Sequence, residues 1–246
     1  MSYIFDFNNS QLYKKWAEDP LNAKIITKQI ELAYNMLAPI PGASILDIGC
    51  KLGYHLEFFI KKGLNAAGIE ASPYLIDIAT KKLENKVDIH KGVFEDLPFK
   101  DNSFDYSLLI TALEFTENPI KTVEEACRVT KDKIFIGILN KYAVKNIERK
   151  IKGIFSDTIY KKARFFAIWE INNIIKSLMG DIPITWKTSY QPLPLIKEST
   201  LKNENLENIL RKNPFGAFAG ITAVLKPTFR TAPLKLKSLT KQTAGI

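Results

Sequence analysis

Cysteine and histidine are scarce in this sequence, with two of each among 246 residues. Cys50 and Cys127 stand in unrelated contexts without partner ligands at metal spacing, which supports neither a disulfide framework nor a zinc site and suits a reducing compartment. Long apolar runs are missing too: the longest are strand-sized, far short of the roughly 20 residues that span a bilayer. The opening Met1-Ser2-Tyr3-Ile4-Phe5-Asp6 lacks a basic segment followed by an apolar one, so the expectation is a soluble, unexported, cytoplasmic protein. Repeats and low-complexity tracts are absent. With 46% hydrophobic and 25% charged residues, the chain can bury one large core, or a core with a small attached lid.

Negative charge is what the C-terminal part lacks. The net charge of +9 divides into zero for residues 1–40, −3 for 41–140 and +12 for 141–246, the last with 19 basic and 7 acidic side chains. A basic half on a mildly acidic core points to an anionic partner, whether an acidic substrate, a membrane surface or nucleic acid; a lysine-rich solvated surface is the plainer reading.

Against these absences stands one informative stretch, Ser44-Ile45-Leu46-Asp47-Ile48-Gly49-Cys50-Lys51-Leu52-Gly53, followed by an apolar run that ends on Glu70. A strand that breaks into a glycine turn and then a helix brings backbone N–H groups against a ligand, and an acidic residue closing the next strand can grip ribose hydroxyls. The dinucleotide fingerprint fails, because counting from Gly49 the third and sixth positions are Lys51 and Tyr54. A phosphate-binding P-loop fails as well, since no Gly-Lys-Ser/Thr follows Gly53. What remains is Asp-x-Gly-Cys-x-x-Gly.

From residue 44 onward, strand and helix patterns alternate, which predicts an α/β fold with a parallel sheet covered on both faces. The predicted strands are Ser44–Ile48, Ala66–Glu70, Val87–Lys91, Phe104–Ile110 and Lys133–Leu139, with an extended Ile182–Tyr190 and a last strand Gly216–Leu225. Ser72-Pro73 and Asn118-Pro119 are start signals for helices over Tyr74–Asn85 and Ile120–Thr130. Ile168, Ile171, Ile175 and Leu178 recur at helical spacing before a stop at Gly180. Residues 1–40 read as an aromatic helical lid (Tyr3, Phe5, Phe7, Tyr13, Trp16), residues 140–165 as an amphipathic insertion over the site or on a membrane surface, and 226–246 as a disordered basic tail.

The motifs Tyr13-Lys14-Lys15-Trp16, Ile45 to Gly53, Gly68-Ile69-Glu70-Ala71-Ser72-Pro73, Glu95 to Asp105 and Gly216-Ala217-Phe218 together carry a resemblance. From about Tyr13 to Leu225 the chain resembles the class I S-adenosylmethionine-dependent methyltransferases, in particular the group similar to ubiquinone/menaquinone-biosynthesis methyltransferases. The resemblance implies a Rossmann-like doubly wound, mostly parallel seven-stranded sheet with helices on both faces. A lid over 1–40 would precede a methyltransferase domain over 41–225, with the insertion after the fifth strand.

The resemblance also implies S-adenosylmethionine as cofactor and S-adenosylhomocysteine as product. It places Tyr13, Asp47, Gly49, Cys50, Gly53, Glu70, Ala71, Phe94, Glu95, Ile110 and Thr111 at the cofactor. Asp47 would hold the loop or accept from the cofactor ammonium, and Glu70 would take the ribose diol. Two departures stand out. Lys51 replaces the middle glycine and would point outward or meet the cofactor carboxylate. Val93 replaces an acidic residue in Gly92-Val93-Phe94-Glu95-Asp96-Leu97-Pro98-Phe99, with the loss of one adenine hydrogen bond.

The implied reaction is in-line attack on the sulfonium methyl, in which the protein aligns the reactants and excludes water. Glu114, His55 and Tyr13 are the polar candidates for catalysis, each with an ordinary structural role as the alternative; His90 has none assigned. The expected acceptor is a small or lipid-like molecule, anionic in one reading, with a membrane surface met through 141–165. A nucleic-acid or protein methyltransferase and an inactive cofactor-binding protein are the alternatives; no Asn/Asp-Pro-Pro-Tyr/Phe motif supports base methylation.

Overall fold

The computed structural model describes residues 4–143, 163–189 and 214–225. The proposed tail and nearly all of the 140–165 insertion, including its membrane-surface reading, lie outside the described residues.

Five strands run parallel: β1 (Ser44–Ile48), β2 (Asn65–Glu70), β3 (Ile89–Lys91), β4 (Phe104–Ile110) and β5 (Thr130–Leu139). With β6 (Ile184–Ser189) and β7 (Phe218–Val224) they form one seven-stranded sheet in the order β3-β2-β1-β4-β5-β7-β6. Only β7 runs antiparallel to its neighbours, β5 and β6. The sheet is therefore mostly parallel and doubly wound, as expected from the alternation. Strand order reverses between β1 and β4, and a crevice opens beyond their carboxyl ends at such a switch point.

Side chains alternate between the two faces. On β4, Tyr106, Leu108 and Ile110 join Ile45 of β1 in one core, whereas Leu109 joins Leu46 and Ile48 in the other. The first core is closed by α1 (Phe7–Glu18), α2 (Pro20–Leu37), α3 (Tyr54–Lys61) and α4 (Pro73–Lys82); the second by α5 (Pro119–Val129) and α6 (Ile168–Met179).

The predicted single N-terminal helix is two helices. Asp19 is extended (ψ 131°), ends α1, and accepts from the N–H groups of Leu21 and Asn22 to cap α2, while Pro20 occupies the first turn where no donor is needed. Helix α2 is built into the core through Ile26, Ile30, Ala33 and Leu37.

Helix α4 stops at Lys82, short of the predicted Asn85, because Glu84 and Asn85 take φ of 53° and 56°. Its N-cap, Ser72, accepts from Leu75 N–H, donates to Phe5 O at 2.6 Å and lies 3.4 Å from Ser10 Oγ, so that one hydroxyl ties α4 to the N-terminal segment. The edge strand β3 is shorter than predicted, β6 begins at Ile184 rather than Ile182 while its predicted end Tyr190 lies outside the described residues, and β7 is trimmed at both ends.

Gly137 of β5 faces Gly220 of β7 across the sheet. A Cβ at Gly220 would lie 2.7 Å from the ring of Phe135. Gly220→Ala is therefore expected to lose about 1–3 kcal/mol by overpacking, read as a lower urea midpoint at unchanged slope.

Candidate active site

The site begins where β1 runs out. Gly49 and Cys50 donate their N–H groups to Ile69 O of β2 (2.8 and 3.2 Å), which folds the chain back over the sheet edge. Gly49 has φ 80°, and a Cβ there would meet Ala112 at 3.0 Å and Phe94 at 3.3 Å; glycine is what allows this close approach. Gly53, also at positive φ, opens α3, and the space it leaves is filled by Leu83 and Ala79 of α4. Cys50 is buried in a small cluster with Leu56, Leu83 and Val87, with burial pushing its thiol well up.

Three carboxylates and a lysine are buried around this turn. Asp47 Oδ2 lies 3.0 Å from His55 Nδ1, and Asp47 Oδ1 is buried with no hydrogen-bond partner. Glu70 accepts from three backbone N–H groups, Ala71 and Ser72 on Oε1 and Lys51 on Oε2, at 2.9–3.0 Å. Burial pushes the Glu70 carboxyl up, against these donors and the charge of Lys51. Glu114 sits in a short 3-10 turn beyond β4; its Oε1 accepts from Leu139 N–H at 2.6 Å and its Oε2 is buried without a partner. Burial pushes its carboxyl up to about 7.

Lys51 is the fourth, and it points inward. Only 5% exposed and with φ 49°, it donates from Nζ to Ile110 O (2.9 Å), Thr111 O (3.0 Å) and Thr111 Oγ1 (2.6 Å). Burial lowers its pKa, while Glu114, Glu70 and Asp47 act to raise it. Thr111 itself holds φ 48°, a rare conformation for a β-branched residue, pinned by Lys51 and by its own N–H on Gly137 O (2.7 Å). The ring of Tyr13 lies 5.8 Å from the ammonium.

Lys51, Thr111 and Phe115 form a wall shared by two cavities. The smaller, about 300 Å³, is lined by Phe5, Gly49, Glu70, Ala71, Phe94 and Ala112. The larger, about 530 Å³, lies under α1 and α2 and is lined by Tyr13, Trp16, Ile26, Gln29, His55 and Leu139, with Ile25 at its edge. Tyr13 and Trp16 stack at 5.6 Å.

Of the predicted cofactor residues, the structure therefore gathers Gly49, Glu70, Ala71, Phe94 and Thr111 on the smaller cavity. Ile110 contributes its carbonyl, and Tyr13 faces the larger cavity. The Cys50 and Gly53 side positions pack elsewhere, and Glu95 caps the chain before α5 by accepting from Glu117 and Asn118 N–H. Val93 is exposed. His55 lines the larger cavity, Glu114 lines neither, and His90 packs edge-on to Phe99 at 5.0 Å.

Phe5, Phe115 and Gln29 were not singled out as site residues. Neither was Arg128, which carries the loop that presents Phe94 by donating to Phe99 O, Leu97 O and Asp101. Its signal was faint: an arginine one turn after Glu125, whose carboxylate accepts from it and from Leu97 N–H. Among the described residues no His/Cys/Asp/Glu group could hold a metal ion, and no helix is long and apolar enough to cross a membrane.

The raised Glu114 pKa has a stability consequence. Between the ordinary value of 4.5 and about 7 the folded protein keeps a proton that the unfolded chain has lost, so this group's contribution is full below 4.5 and is lost as pH rises through 7. Glu114→Gln is expected to remove a pH dependence on the order of 3 kcal/mol, seen as a smaller fall in Tm between pH 5 and pH 8 than in the wild type.

Residues 46–136 match the family profile described as methyltransferase domain. An uncharacterized protein of Methanocaldococcus jannaschii is 37% identical over 180 residues, covering 71% of this chain and 80% of that protein. Demethylmenaquinone methyltransferase of Renibacterium salmoninarum is 29% identical over 100 residues, and there the chain spans only 42% of the relative. Among solved structures, an S-adenosylmethionine-dependent methyltransferase from Thermotoga maritima shares the fold with a TM-score of 0.68 at 24% identity, covering 89% of this chain and 96% of its own. The profile match across β1 to β5 and the extended similarity to the Methanocaldococcus protein place the chain in the class I S-adenosylmethionine-dependent methyltransferases, enzymes that take S-adenosylmethionine as methyl donor.

Proposed function

We propose that the protein transfers the methyl group of S-adenosylmethionine to a small-molecule or lipid-like acceptor held in the cavity beneath α1 and α2. The observation that carries this reading is the pair of adjoining cavities. The smaller is lined by the carboxylate of Glu70, an acceptor, and by the ring of Phe94, which suit the cofactor, and the larger is walled by aromatic and aliphatic side chains on the far side of Lys51 and Thr111. Apolar concave walls with a few convergent polar groups are the usual form of a small-molecule site.

The residues of the smaller cavity fit the cofactor. Asp47 lines neither cavity; its Oδ1, buried and unpartnered two residues before Gly49, is the acceptor we assign to the cofactor's ammonium. Glu70 Oε2 accepts a single backbone N–H and retains a lone pair for a ribose hydroxyl. Phe94, packed against Gly49, offers an apolar face for the adenine. When bound, the cofactor supplies an electrophilic methyl on sulfur. The chain's own tasks are orientation and the exclusion of water, and the burial of Glu70 on the wall of the smaller cavity supports the second.

Calorimetric titration with S-adenosylmethionine and S-adenosylhomocysteine tests the reading. The expected result is micromolar binding by the wild type, weakened at least about tenfold (1.4 kcal/mol) in Asp47→Ala and Glu70→Ala. Failure of a well-folded wild type to bind either compound would move the reading to a protein that has lost the cofactor. A tight, salt-sensitive RNA complex that serves as a methylation substrate would move it to a nucleic-acid acceptor.

A further inference from the structure

We infer that the acceptor in the larger cavity presents an anionic oxygen, a carboxylate or phenolate, on a small apolar framework, and that Lys51 and Thr111 together select it. The inference rests on the methyltransferase reading of the same site and adds to it the class of acceptor.

All three recorded partners of the Lys51 ammonium are neutral oxygens. The carboxylates around it are engaged elsewhere: Glu70 with backbone N–H groups, Asp47 with His55, and Glu114 with Leu139 N–H. Among the described residues no acidic side chain forms an ion pair with Lys51, although their fields reach it. With its three N–H groups spent on these oxygens, the ammonium offers an arriving anion its charge and not a further hydrogen bond.

Thr111 supplies the second half of the argument. An ammonium has no lone pair, so in the 2.6 Å contact Lys51 must donate and Thr111 Oγ1 must accept. The hydroxyl proton of Thr111 is left to point at another partner. Thr111 lines both cavities, so the shared wall offers a hydroxyl donor polarised by an ammonium, with the ammonium behind it. Charge-assisted donors of this kind favour an ionised oxygen over a neutral one. The rest of the larger cavity, chiefly Tyr13, Trp16, Ile26, Phe115 and Leu139, suits an apolar body; Gln29, His55, the Tyr13 hydroxyl and the Trp16 N–H are the polar groups among these side chains.

The charge balance of the reaction points the same way. When bound, the cofactor would bring a sulfonium charge to this site, and an anionic acceptor would neutralise that charge in the transfer. The acceptor oxygen forms its bond to the methyl carbon as the carbon–sulfur bond breaks and its electron pair returns to sulfur. The products are a neutral ester or ether and a neutral thioether. No proton leaves the acceptor, so the step needs no general base, in keeping with a Glu114 that lines neither cavity. Once its oxygen is methylated the acceptor no longer pairs with Lys51, and product binding weakens.

Calorimetry on the full chain tests this with matched probes, benzoate against benzamide and 4-nitrophenolate against nitrobenzene, each with and without S-adenosylhomocysteine. The wild type should bind at least one of the two anions tenfold or more tightly than its neutral partner, and the pair that shows the preference tells carboxylate from phenolate. Lys51→Met should abolish the preference, Lys51→Arg should retain most of it, and Thr111→Val should reduce it, each checked for a cooperative unfolding transition. Equal binding of acid and neutral probe, binding of neither, a preference that survives in Lys51→Met, or one that is undiminished in Thr111→Val overturns the proposal. S-adenosylhomocysteine binding measured alone keeps the two readings apart: its loss sinks the methyltransferase reading, whereas the anion preference is scored on the probes.

Discussion

Burial of charge at the carboxyl ends of β1, β2 and β4 is the constraint around which the site is arranged. Asp47, Glu70, Glu114 and Lys51 all lie at 5% exposure or less, and a charge removed from water is tolerated only where donors, acceptors or opposite charges replace the solvent. The backbone answers most of that demand. The turn after Ile48 gives Glu70 the N–H of Lys51, the start of α4 gives it two more, and β5 gives Glu114 the N–H of Leu139. Strand order, the glycine turn and the helix start are thus coupled through carboxylates that the chain could not otherwise bury.

Lys51 follows from the same constraint. A glycine at that position would leave the carbonyls of Ile110 and Thr111 facing an open cavity, where water or a ligand would have to satisfy them. The lysine satisfies them from within and holds Thr111 in a conformation that costs on the order of 1–3 kcal/mol. The departure from the family pattern is therefore structurally integrated, and it brings a positive charge to the wall between the two cavities.

Much of this was legible in the residues. Alternating apolar runs and the Ser72-Pro73 and Asn118-Pro119 starts located β1, β4, α4 and α5 to within a few residues, because parallel strands and capped helices follow local chemistry. Asp47, Gly49 and Glu70 could be picked out because they stand at strand ends, where side chains have little room for another role. The direction of Lys51 could not be, since outward and inward positions differ only by what lies 59 residues away at Ile110. Phe5, Gln29 and Arg128 escaped for the same reason: each acts through a tertiary contact, and the local signature is absent or, for Arg128 one turn after Glu125, faint. The break between α1 and α2 is legible in Asp19-Pro20, which follow the last of the lid aromatics, Trp16.

Ser72 connects these layers in one further way. Its hydroxyl holds the first turn of α4 and at the same time Phe5, whose ring closes the smaller cavity beside Phe115. Displacing Phe5 breaks the bond from Ser72 Oγ to its carbonyl, whereas the Leu75 N–H bond that caps α4 is a separate one. Loss of the Ser72 hydroxyl removes both at once, so a single side chain couples the wall of the smaller cavity to the start of a helix.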